Sequence, residues 1–172
     1  MSLEAIWRAA VEFVHAHLAY AEPLVFFLGF AEGVPVLSLL VPSSALFLAV
    51  GAAHSGAGGS FSDLWLPAAM GAVVGDLATY SIGRLFRHDV ARLRYFAGHS
   101  GALAAGHAAF ERWGALAVIV GKFMGFARPF VPVVAGIVSM PWPLFLVASM
   151  LSSLAWAGVF LAPAYGFRWF VG

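Results

Sequence analysis

The residues best placed to do chemistry stand in the run GKFMGFARPFVPVVAG, from Gly121 to Gly136. Lys122 and Arg128 lie there in a stretch otherwise apolar enough for hydrocarbon, with Pro129 and Pro132 to break the helix that carries them. Each cation at bilayer depth costs roughly 2.5–3.5 kcal/mol on insertion scales, so a pair of them is expected to serve something negative. The matching acid is Glu32, in another interrupted apolar run that also holds Gly33, Pro35, Pro42, Ser43 and Ser44. Glu32 either neutralises Lys122 or Arg128 in a buried pair, or takes a proton as an anion leaves. Ser43 and Ser44 join these three as candidate binding groups. A third set, Asp76, Tyr80 and Arg84, recurs every four residues and so shares one helix face. It is expected to line a path or couple protons, with Asp76 the partner of Arg84 or of a neighbouring cation.

These residues need a membrane to give them meaning, and the composition supplies it. Of the 172 residues 62% are hydrophobic and 10% charged, at a mean hydropathy of +0.92, where soluble domains carry roughly 25% charged residues. A soluble domain is excluded, and an all-α polytopic membrane protein is expected. There is no cysteine, so disulfide and thiol chemistry are excluded too. No metal-ligand set or cofactor motif is present, nucleic acid is not an expected partner, and a homo-oligomer is left open. The N-terminus has Glu4 and Glu12 where a cleaved signal would carry positive charge.

In chain order, residues 1–20 read as an amphipathic interfacial helix, with His15 and His17 on different faces. The block 23–53 is too long for one untilted span and has too many breakers, which predicts a re-entrant helical hairpin. Residues 54–63 are predicted as a flexible polar loop, with Asp63 capping the next helix. Leu64 to Gly83 is predicted to span, its Gly71, Gly75, Thr79 and Gly83 forming a ladder for close helix contact. The segment 84–113 holds five of the nine basic residues, Arg84, Arg87, Arg92, Arg94 and Arg112. It reads as a basic amphipathic connector on the cytoplasmic surface, with His88, His99 and His107 solvated. A second broken block, 114–140, ends at the turn Pro141-Trp142-Pro143, and Leu144 to Tyr165 is a second spanning helix. Arg168 and Trp169 anchor the short end, 166–172.

The halves correspond. Residues 23–83 and 114–165 each place a broken, charged apolar block before an intact helix, and one crossing between them makes the repeat inverted. Paired interrupted segments of this kind point to a transporter's site at the midplane. The chain is therefore expected to be a single membrane domain, with Glu32 from one hairpin facing Lys122 and Arg128 from the other.

The same residues resemble the DedA family, also called the SNARE-associated or VTT-domain family. Lys122-Phe123, Arg128, Pro132 and Ala135-Gly136 are similar to its R-F-x-P-x-x-R-x-x-x-P-x-x-A-G pattern. Gly75-Asp76, Tyr80 and Gly83-Arg84 match its G-D-x-x-x-Y-x-x-G-R, and Glu32 with Pro42-Ser43 its first acidic segment. Lys122 stands in place of arginine and Gly125 in place of proline, and Ser44 falls where many members carry a second acid. The resemblance implies a multi-pass protein of the bacterial inner membrane that moves lipid, such as a flippase for undecaprenyl phosphate. The headgroup would bind at Lys122 and Arg128 with Glu32 as counter-charge or proton acceptor. A phosphate suits such cations, helped by half-helix N-termini.

Other readings stay open at this point. A proton-coupled exporter of small cations or drugs would use Glu32 and Asp76 as a carboxylate relay. A non-selective phospholipid scramblase would need no headgroup ligand, and a scaffold would use its charges only for internal pairing. A lipid-phosphate phosphatase is the most distant. Lys122, Arg128 and Pro129 approach its phosphate-binding signature, but no histidine follows His107 to serve as nucleophile. The chain is accordingly not expected to be an enzyme.

Overall fold

The computed structural model describes residues 20–40, 43–86, 108 and 110–166, and among these every regular element is a helix. The first apolar block forms α1 (Ala21–Gly33), α2 (Pro35–Leu40) and α3 (Ser43–Gly56). Its first break falls at Val34, which is extended (φ −108, ψ 117) because the ring of Pro35 keeps the preceding residue out of the α region. The polar loop expected over 54–63 is shorter than that. Helix α3 runs on through His54, whose buried ring reaches the hydroxyl of Tyr165 at 2.8 Å. That partner holds the last turn of α3 in place, and residues 57–60 alone connect it to α4 (Phe61–Leu85). Asp63 is not the cap itself. It is the third residue of α4, and its carboxylate accepts the backbone N–H of Ser60 at 3.0 Å in a capping box.

Helix α4 is the hub. Its 25 residues span about 37 Å at 1.5 Å per residue, and its small residues seat two partners. A Cβ on Gly75 would run into the Phe30 carbonyl oxygen and the Gly33 backbone of α1. One turn on, Thr79 Oγ1 donates to the Gly33 carbonyl at 2.8 Å. Further along, Gly83 meets the Val133 carbonyl of α6 (Val131–Ile137), and Gly136 meets the backbone of Tyr80 and Arg84. The glycine ladder is thus divided between the two broken blocks, and close backbone approach is its purpose at both crossings.

The second block forms α5 (Ala115–Gly121), a 3₁₀ segment (Gly125–Phe130) and α6. The prolines are not where it breaks. Helix α5 has already ended at Lys122, and Gly125 turns the chain at φ +41. Pro129 lies within the 3₁₀ segment and Pro132 in the first turn of α6, where a missing N–H costs nothing. Ser139, at φ 57, makes the reversal into α7 (Trp142–Gly166), so Trp142 and Pro143 belong to that helix rather than to a loop. Among the described residues α7 is the one helix both long and apolar enough to cross a membrane. Helix α4 has the length expected of it, but Asp76, Thr79 and its glycines lower its apolarity, and these face protein.

Two apolar clusters hold the helices together. One gathers Val25, Phe47, Leu64, Ala68, Ala72, Trp156 and Leu161, the other Tyr80, Val118, Ala135, Met140, Phe145 and Ala148. Between them, buried near the middle of α4 and α7, lies a polar layer of Asp76, Ser149, Ser152 and Ser153. The expected interfacial helix at 1–20 lies outside the described residues apart from Tyr20. Outside them also are residues 87–107 of the basic connector, with His88, His99 and His107, and Arg168 and Trp169 beyond α7.

Candidate functional site

The 3₁₀ segment presents Arg128 between α1 and α7. Its Nη1 forms an ion pair with Oε2 of Glu32, near the end of α1. The guanidinium carbon lies 3.8 Å from the centroid of the Trp156 ring of α7, a cation–π arrangement. Arg128 is 8% exposed, yet its Nε and Nη2 have no hydrogen-bond partner among the described residues. Those two groups form one edge of the guanidinium, the edge that grips an oxyanion through two parallel N–H···O bonds. Leaving a buried donor unmet costs about 1–3 kcal/mol, and more when it is charged. The arginine is thus half satisfied, with its free half suited to an anion.

Lys122 is 4% exposed, and two of its three N–H donors are engaged. It follows the last turn of α5, where its Nζ donates to Asp76 Oδ2 of α4 and, at 2.6 Å, to Ser153 Oγ of α7. The same carboxylate oxygen accepts from Ser149 Oγ at 2.6 Å. Two buried ion pairs therefore tie the second broken block to the rest of the molecule. Glu32 takes Arg128, and Asp76 takes Lys122.

A cavity of about 730 Å³ adjoins the pairs, a volume within the usual range for small-molecule sites. Glu32, Ser43, Ser44, Lys122 and Arg128, the five candidate binding residues of the sequence, all line it, with Trp156 as an apolar wall. The path-lining set fares differently. Asp76 meets the cavity only through Lys122. Tyr80 and Arg84 do not reach it, because both are bound to the turn before α7. Arg84 Nη1 donates to the Tyr80 hydroxyl at 2.6 Å and to the Met140 carbonyl at 3.0 Å, and Tyr80 donates to that same carbonyl. Asp76 and Arg84, two steps of four residues apart on that helix face, accordingly do not pair.

Sequence reasoning missed Trp156, Ser149 and Ser153 as parts of the site. A signal existed in their spacing, since Ser149, Ser153 and Trp156 fall on one face of an otherwise apolar helix.

The sequence profile of the VTT domain matches residues 41–165 of the chain. Among curated proteins, the inner membrane protein YabI of Escherichia coli is 25% identical over 151 residues, covering 88% of this chain and 59% of its own. An uncharacterized membrane protein of Mycobacterium tuberculosis, Rv2637, is 34% identical over 170 residues, covering 88% of this chain and 73% of its own. A second from that organism, Rv0364, is 40% identical over 100 residues, covering 55% and 42%. The chain thus spans about three fifths of the length of the Escherichia coli relative. No solved structure matches it. With the profile covering most of the chain and relatives that are named membrane proteins, this chain belongs to the VTT-domain, or DedA, family of membrane proteins.

Proposed function

We propose that this protein carries a lipid with an anionic phosphate headgroup across the bacterial inner membrane, the headgroup entering the cavity beside Arg128. The observation that carries the reading is the edge of Arg128, Nε and Nη2, buried and without a partner among the described residues while the opposite side holds Glu32. An oxyanion with two acceptor oxygens fits that edge as a neutral ligand or a cation does not. Ser43 and Ser44 offer hydroxyls on the same cavity, and a volume of about 730 Å³ suits a headgroup whose hydrocarbon tail stays in lipid. Undecaprenyl phosphate is the substrate that the family resemblance suggests. Glu32 stays on Nη1, and its negative charge beside the bound headgroup favours release.

The reading includes an inverted repeat of re-entrant hairpins, and the packing supports it. Helix α1 lies on α4 and α5 lies on α7, each first arm against the long helix of its own half. Helix α3 lies on α7 and α6 lies on α4, each second arm against the long helix of the other half. Exchange of the halves leaves this pattern unchanged, as a pseudo-twofold axis through the site requires.

Reconstituted liposomes test the proposal. Labelled undecaprenyl phosphate and a neutral lipid are compared for wild type and Arg128→Ala. Selective movement of the phosphate lipid, lost in the variant, is the expected result. Equal movement of both lipids would make the protein a non-selective scramblase, and unchanged transport by the variant would remove the site.

A further inference from the structure

The two cations at the cavity are not equivalent. Lys122 has a carboxylate and a hydroxyl on its ammonium group, and that carboxylate is itself held by Ser149. These partners come from α4 and α7, so three segments converge on one Nζ. Arg128 has a single carboxylate on one nitrogen, a ring face beneath it and, among the described residues, one whole edge without a partner. Lys122 has one N–H left for an incoming anion, which would meet it beside the Asp76 carboxylate, a negative charge already on the same nitrogen. Arg128 can accept the anion without leaving Glu32.

Building on the phosphate-lipid reading, we infer that the cations divide the work. Arg128 binds the phosphate through Nε and Nη2, with Glu32 and Trp156 fixing the plane of the guanidinium. Lys122 is a positioning residue, locked by Asp76, Ser149 and Ser153, which ties the end of α5 to α4 and α7 and so sets where Arg128 stands. The ligand this site takes is then an oxyanion gripped side-on by one guanidinium, not an anion bridged between two cations.

Lys122 is the only lysine in the sequence, so lysine labelled with ¹³C and ¹⁵N yields a single side-chain signal. Full-length protein in phosphatidylcholine nanodiscs is titrated with undecaprenyl phosphate, while the Lys122 signal and the arginine Nε signals are followed. The Arg128 signal, identified by its absence in Arg128→Lys, is expected to shift and saturate, and the Lys122 signal to stay in place. A Lys122 signal that shifts along the same saturation curve overturns the inference. If neither signal moves, the wild type does not bind the phosphate lipid, and both the transport reading and the division of labour fall. Kinetics give a second measurement. The paired variant Asp76→Asn with Lys122→Met, which removes both charges together, is expected to lower the maximal transport rate while leaving the half-saturating lipid fraction unchanged. Arg128→Lys, which keeps the charge but loses the fork, is expected to raise that fraction by about tenfold or more. A paired variant that raises half-saturation as far as Arg128→Lys does would make Lys122 a ligand.

Discussion

Asp76 answers two needs with one oxygen, since Oδ2 receives both the Lys122 ammonium and the Ser149 hydroxyl. Removing one partner of a buried pair leaves the other as an uncompensated charge, which costs about 3–5 kcal/mol. Asp76→Ala is therefore expected to lower the melting temperature in detergent sharply, and Ser149→Ala to lower it less, by the equivalent of about 1.5–3 kcal/mol for a hydrogen bond to a charged group. Equal melting curves for Asp76→Ala and wild type would mean that Lys122 has found another partner. Glu32→Gln acts differently. The amide keeps the shape and an acceptor for Arg128 while removing the charge that opposes the headgroup, so folded yield is expected to fall less than in Asp76→Ala, half-saturation to fall and the maximal rate to fall with it. A variant that transports as wild type does would exclude Glu32 from release. At this scale much was legible in the sequence. Charge inside an apolar run demands a partner, and that requirement alone singled out Glu32, Asp76, Lys122 and Arg128. Which acid meets which cation was not legible, because it depends on segments that meet only in the fold. The serines of α7 were passed over for another reason. A serine in an apolar helix can satisfy itself on its own backbone, as Ser81 does on the Leu77 carbonyl at 2.7 Å. Its presence alone does not announce a buried network.

Helix α4 succeeds as a hub because its glycines let two other backbones approach it, and this is where element-scale stability is decided. Gly75→Leu would drive a branched side chain into the Phe30 carbonyl and the Gly33 backbone. Neither can yield without moving α1, so the cost is expected to exceed the roughly 1–3 kcal/mol of ordinary overpacking. Gly56 is the control, since a Cβ there meets nothing within 4 Å. Gly56→Ala is expected to be neutral or to stabilise by about 0.4–1 kcal/mol through the unfolded chain. Thermal unfolding of the two variants in the same detergent checks both, and similar losses would mean that the ladder is not a packing surface. The ladder was readable from its four-residue period, but its division between α1 and α6 was not, because spacing identifies a face and not the partner that covers it. The helix breaks illustrate the same boundary. Pro35 placed the first one, since a proline constrains the residue before it. Pro129 and Pro132 misled, because proline is equally at home in a first turn, and the reversal was left to Gly125 and its positive φ.

On the scale of the whole molecule, the ion pair between Glu32 and Arg128 joins the first broken block to the second across the cavity. Such a pair serves one of two ends. As a fastening it needs only opposite charges, and their order along the chain is immaterial. As a headgroup site it needs the guanidinium where Trp156 and the cavity are, because a carboxylate there would repel a phosphate and gain nothing from the negative face of the indole. Exchanging the two residues separates these cases. Glu32→Arg with Arg128→Glu keeps an opposite-charge link between the blocks, so folded protein is expected to be recovered better than with Glu32→Arg alone, which sets two arginines against each other. Transport of the phosphate lipid by the exchanged protein is nevertheless expected to fall by at least about tenfold, the scale on which a misplaced charge is felt in a desolvated site. Size-exclusion profiles and melting curves report the first quantity, and liposome transport reports the second. If the exchanged protein both folds and transports as the wild type does, the pair is a fastening alone, and the anion would have to be sought elsewhere in the fold.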